Sequence, residues 1–226
     1  MREGSVMSRL LFSKTGRAKY ISHLDLMRTF QRAFQRADLT IKHTEGFNPH
    51  PFISILLPLS LGYSSQCEIL EFQLLEDIPS EQVTERLNAV LPEGILVDRC
   101  YEGGCKAKEL ALVDYRVTME YDHSVPTGAA DAWKELLGRK KLEVSKKSKK
   151  SKTGETIVDI IPLVKSFDVT LGEGCVVLDA VICAQNPGLN PQLLLTALER
   201  EYPDLVPDFV LFHRKAVMDA SNNLFA

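Results

Sequence analysis

At 226 residues and 25.3 kDa, the chain is long enough for one large domain or two small ones, each with a real core. Its 45% hydrophobic and 25% charged residues are those of an ordinary globular protein, and the average charge, a formal net of -3, says nothing about nucleic acid, for which only the local distribution counts. No apolar run approaches the roughly 20 residues of a membrane span, so no membrane association is expected.

The charge is unevenly spread. Residues 1–60 hold nine Lys or Arg against Glu3, Asp25, Asp38 and Glu45, and residues 134–152 hold another nine against Glu135 and Glu143. Such a polarised surface attracts anions despite a negative total. The five cysteines, Cys67, Cys100, Cys105, Cys175 and Cys183, are odd in number and irregular in spacing. With no secretory leader, they lead us to expect reduced thiols in a cytoplasmic protein. The Cys-x3-Cys-x2-Cys pattern of a catalytic iron–sulfur cluster is absent, and no cofactor is expected within the chain.

Ser8–Ser13 reads as an apolar strand and Lys14–Lys19 as a basic turn. Ser22 then caps a helix, with Asp25 in the capping-box position. Leu24, Met27, Phe30, Phe34 and Ala37 recur at helical spacing as its expected buried face, and Arg28, Arg32 and Arg36 recur every four residues on the other. A polar loop from Lys42 to Pro51 follows, rich in turn formers. Phe52–Leu57 and Glu68–Leu75 read as strands, residues from Pro79 to about Leu91 as a helix and Ile95–Tyr101 as a strand. That β-α-β-β-α-β order predicts a ferredoxin-like sandwich over residues 7–103.

Beyond Gly103 and Gly104 the same order recurs over residues 108–219. Leu112–Tyr121 alternates as a strand, and Ala129–Leu137 forms a short helix. Lys141–Ile161 forms a hairpin whose tip reads K-K-S-K-K-S-K-T-G. Cys175–Cys183, Pro191–Tyr202 and Phe209–Met218 complete it as strand, helix and strand. The expected class is therefore α+β, with two ferredoxin-like sandwiches in tandem and the second decorated by the basic hairpin.

The strings H-L-D-L-M-R-T-F-Q-R-A-F-Q-R-A-D and H-T-E-G-F-N-P-H-P-F-I-S-I-L-L-P-L-S-L-G, with V-D-I-I-P-L-V further on, resemble the bacterial radical-SAM-linked domain of unknown function. One departure is Phe52, where the motif is often basic. The resemblance implies a domain that stands alone or accompanies a B12-binding type radical SAM protein, with gene neighbours that point to RNA or ribosome biology. A second resemblance is architectural: tandem ferredoxin-like domains with a histidine opening the first helix are similar to RNA-processing endonucleases.

Several constellations are candidate sites. His23, at the first turn of the helix, suits a general base toward a ribose 2′-OH, or simply a structural histidine. His23, Asp25, His43, Glu45, Asn48 and His50 are grouped as a motif pocket. Their spacing matches no closed metal motif, so a rigid loop with ligand contacts ranks ahead of a metal site. In that loop Gly46 permits a left-handed turn, and Asn48 is expected to cap backbone groups. Arg17, Lys19, Arg28, Arg32, Lys42, Lys146, Lys147, Lys149 and Lys150 are candidate phosphate contacts. For each charged stretch the alternative is a solvated face.

Three functional expectations follow. The first is a non-catalytic RNA-binding accessory protein that presents RNA or a ribonucleoprotein to a radical SAM partner. The second is a metal-independent endoribonuclease with His23 as base, and the third is a protein-interaction module. Oligomeric state is left open.

Overall fold

A computed structural model describes residues 7–147 and 154–225. The protein is an α+β chain that divides into two compact units, one of residues 1–109 with 224–226, the other of residues 110–223.

In the first unit, β1 (Ser8–Lys14) leads through a 3-10 turn (Gly16–Tyr20) to α1 (His23–Arg36). β2 (Ile53–Ile55), β3 (Ser64–Phe72), α2 (Ser80–Asn88) and β4 (Ile95–Glu102) follow. The strands are antiparallel in the order β4-β1-β3-β2, which is the split arrangement of a ferredoxin-like unit. Alternation along β1 sends Leu10 and Phe12 into one core with Leu70 and Phe72 of β3, Val97 of β4, and the apolar stripes of α1 and α2. The rings of Phe12 and Phe30 meet edge-on, 4.8 Å between centroids.

The outer edge of β4 is closed by α2 rather than left as a template for another strand. The Asn88 amide donates to Val97 O and accepts from Val97 N, both at 2.8 Å, and the Thr84 hydroxyl accepts from Cys100 N at 3.0 Å. Phe225, which follows the second unit in sequence, is buried in the first unit, with the Arg9 guanidinium 5.6 Å from its ring centroid. Arg9 is itself 5% exposed and forms an ion pair with Glu71 at 2.7 Å.

The buried stripe of α1 differs from the expected one, with Leu26 and Ala33 in it, Leu24 out of it and Met27 only partly buried. Leu26, Phe30, Ala33 and Phe34 point inward, whereas Leu24 is 66% exposed. Leu26 lies at the i-4 and i-7 positions of Phe30 and Ala33, which continues a 3.6-residue repeat. Lys14, read from sequence as part of a surface turn, is 1% exposed at the end of β1. Its ammonium donates to Ile21 O at 2.9 Å and Lys19 O at 3.2 Å, which ties the 3-10 turn and the entrance of α1 to the sheet.

The second unit repeats the topology. β5 (Leu112–Glu120), α3 (Ala129–Leu137), β8 (Val164–Gly172), β9 (Cys175–Cys183), α4 (Gln192–Glu201) and β10 (Phe209–Met218) give the antiparallel order β10-β5-β9-β8. The hairpin of β6 (Glu143–Lys147) and β7 (Glu155–Asp159) is inserted between α3 and β8 as a separate two-stranded sheet. The tandem of similar units therefore includes a strand, β8, that the sequence pattern does not announce. Trp133 of α3 is wholly buried. Among the described residues, no helix is long and apolar enough to cross a membrane.

Candidate functional site

The motif segment folds as a helix entrance and a finger. At the entrance, Ser22 is the N-cap of α1: its hydroxyl accepts from Asp25 N at 3.2 Å and donates to the Asp25 carboxylate at 2.7 Å. Asp25 also accepts from Arg28 at 3.1 Å, and the Ser22 hydroxyl, then Arg28, hold its carboxyl below the usual carboxylate range. Asp25 is thus committed to capping. His23 stands exposed beside it with no side-chain hydrogen bond among the described residues, so none of them orients its imidazole as a general base requires.

The finger runs from Lys42 to Phe52. Phe52 N donates to Lys42 O at 2.7 Å, Thr44 N to His50 O at 2.8 Å, and His50 N to the Thr44 hydroxyl at 3.2 Å, with an isolated bridge between His43 and Pro51. His50 Nδ1 lies 3.2 Å from Asn48 O and 3.0 Å from the Thr44 hydroxyl, and His43 Nδ1 lies 3.2 Å from Ile41 O. A carbonyl only accepts, so each imidazole donates through Nδ1 and keeps Nε2 as its outward nitrogen. Capping inside the loop therefore falls to the Thr44 hydroxyl rather than to the expected Asn48 side chain. Gly46, at φ 128°, makes the turn at the tip.

At that tip Phe47 is fully exposed, at 104%. Leaving a phenylalanine in water forgoes about 1.5–3 kcal/mol of burial, so its position asks for a reason outside the fold. Phe47 is not among the residues singled out by sequence. The available signal was an aromatic set between Gly46 and Asn48-Pro49, in a turn with no apolar neighbour to pack on.

Between the finger and the C-terminal half of α1 lies a cleft of about 230 Å³, with Gln31, Gln35, Asp38, His43 and Pro51 in its walls. His43 is the one member of the expected motif pocket that lines it. Asn48 and His50 belong to the finger's hydrogen bonds, Glu45 is exposed near the tip, and His23 and Asp25 stay at the helix entrance. Among the described residues, no three His, Cys, Asp or Glu side chains stand together as a metal-holding group.

The candidate cations differ in how they are neutralised. Arg17, Arg32, Lys42 and Lys146 are exposed and have no acidic partner among the described residues, while Arg28 is paired with Asp25 and Arg36 donates to Val90 O. Lys19 leans over the Tyr20 ring, 5.1 Å from its centroid. Apart from Lys146, several cations of the second unit are paired: Arg116 meets Asp179, Arg139 meets Glu135 and Glu201, Lys141 meets Glu143, and Lys215 meets Asp114 and Asp179. Lys147 is the last described residue of β6, and Lys149 and Lys150 lie outside the described residues.

No curated protein sequence matches the chain. Among solved structures, a chain of a Cbf5-Nop10-Gar1 complex is similar over 93% of this chain, at 10% identity and a TM-score of 0.53. This chain spans 48% of that one, and at such identity the likeness shows the fold alone. A protein from Galdieria sulphuraria, described as unknown, aligns over 93% of this chain and 99% of its own at 11% identity, with a TM-score of 0.28. A family model described as an uncharacterized protein conserved in bacteria (DUF2344) matches residues 8–191, and the chain belongs to that family.

Proposed function

We propose that the protein is an RNA-binding accessory factor that works in the cytoplasm beside a B12-binding type radical SAM enzyme, in tRNA or rRNA modification or processing. The observation that carries the RNA-binding part is the set of exposed cations left without acids among the described residues: Arg17 before α1, Arg32 on it and Lys42 at the base of the finger. An exposed cation that neither pairs nor packs adds little to folding. Gathered in the segment that also holds the finger, such cations suit phosphate, whose neutralisation releases counterions. The radical SAM partner rests on the resemblance of the H-L-D-L-M-R and T-E-G-F-N-P-H-P strings.

The test is equilibrium binding to tRNA and rRNA fragments between 50 and 200 mM salt, about the range over which phosphate-led complexes weaken steeply. Arg32→Ala with Lys42→Ala is expected to flatten the salt dependence by roughly 1.4 on a log–log plot for a single strand, about 0.7 for each phosphate that is no longer neutralised. Binding that is absent, or indifferent to salt, overturns the proposal. Recovery of intact RNA after incubation in EDTA is expected; cleavage that His23→Ala abolishes would favour the endoribonuclease instead.

A further inference from the structure

We infer that Phe47 is a stacking platform for one unpaired RNA base, an inference that rests on the RNA-binding reading above. Three observations point there. The ring is wholly exposed, so both its faces are open to a planar ligand. The finger beneath it is closed by backbone bonds between Lys42 and Phe52 and between Thr44 and His50, and is braced by the His50 imidazole. The ring is therefore carried on an already ordered support, and binding orders little more than the base itself. Finally, Lys42 at the finger's root is exposed and has no acid beside it among the described residues, a cation on the same finger for the phosphates of a bound strand.

The immediate neighbours of Phe47 favour a base over a pocket on another protein. An aromatic anchor at a protein interface is ringed by contacts that exclude water. Here the flanking residues, Glu45, Gly46, Asn48 and Pro49, add no second large apolar side chain from which such a ring would be built. A stacked base needs only the face of the ring, and every base offers one, so the contact tolerates sequence. Duplex RNA hides its bases within the stack, which restricts the ligand to loops, bulges and single strands.

The experiment measures binding of the full chain to a single-stranded oligoadenylate and to an RNA duplex. Phe47→Leu keeps an apolar side chain and removes the aromatic face; it is expected to weaken single-strand binding about tenfold, in the range of one lost stack, and to leave the salt dependence unchanged. Duplex binding is expected to be the same for both proteins. Phe47→Trp is expected to retain affinity and to lose indole emission on adding RNA, against the constant background of buried Trp133. Equal single-strand affinity of the wild type and Phe47→Leu, or an equal loss on duplex, overturns the stacking role while leaving RNA binding in place. A wild-type protein that binds neither RNA overturns both. Matching thermal melts of wild type and variants, expected for so exposed a position, show that the comparison is between folded proteins.

Discussion

Replacing Lys14 by Met tests whether a buried ammonium builds the entrance of α1. Met preserves most of the apolar stem and removes the charge. What is lost is the bond to Ile21 O at 2.9 Å and the longer one to Lys19 O at 3.2 Å. Lys19 O keeps a second donor, Gly62 N at 2.9 Å, whereas Ile21 O loses its donor. A bond from a charged donor contributes about 1.5–3 kcal/mol, so the two together contribute about 3–6 kcal/mol; the remaining donor at Lys19 O and the release of the ammonium from burial return part of that, leaving a net destabilisation of roughly 2–4 kcal/mol. Burial lowers the Lys14 pKa from 10.5, with Glu68 opposing it. The folded state therefore binds fewer protons than the unfolded one between that lowered value and 10.5, so this group makes stability rise with pH across the window. Lys14→Met is expected to abolish that rise. Urea unfolding by far-UV circular dichroism reads the stability, while the emission of Trp133, the single tryptophan, reports on the second unit. Amide exchange at Ala18 and Ile21, which close the 3-10 turn, reads the local effect. A Met variant as stable as wild type, with these amides equally protected, refutes the reasoning.

Ser22→Ala removes the N-cap of α1 and is expected to cost about 1 kcal/mol in the same urea experiment. Because Asp25 has a lowered pKa in the fold, its capping contribution is present above the ordinary value of 3.8 and lost as pH falls through the folded one; acid titration by circular dichroism should place the loss below 3.8. Gly94→Ala is expected to lower the melting temperature sharply: the residue sits at φ +86°, and a Cβ there would lie 2.6 Å from Thr15 O and 2.9 Å from Ala18 Cβ. Burial pushes the Cys100 thiol up to about 11, so mass-spectrometric alkylation at neutral pH should leave Cys100 unmodified until the chain is unfolded.

The order of elements in the first unit was legible because its strands alternate cleanly and its first helix announces itself with Ser22 and Asp25. β8 was not. It is an edge strand with Val169 as its one buried residue, and Lys165, Asp168 and Thr170 give it the look of a loop. Leu24 and Leu26 flank Asp25, and the heptad-like spacing admits either until the sheet selects one. At the site, Gly46, Pro49 and Pro51 revealed a constrained loop. Some cations are neutralised by acids more than sixty residues away in sequence, as Arg116 is by Asp179, and local spacing carries no trace of those. Lys14 was opaque for the same reason, since a lysine next to Thr15-Gly16-Arg17 looks like any surface turn.

Phe225 gives the fold a timetable. Arg9, on the first strand, is roofed by a residue about 115 positions beyond the main segment of its own unit, a lag of roughly ten seconds at ordinary rates of synthesis. During translation the first unit can assemble its sheet and helices, but its Arg9–Glu71 pair stays wet until the second unit has been made. Maturation of the first unit thus becomes a report that the second unit has been made.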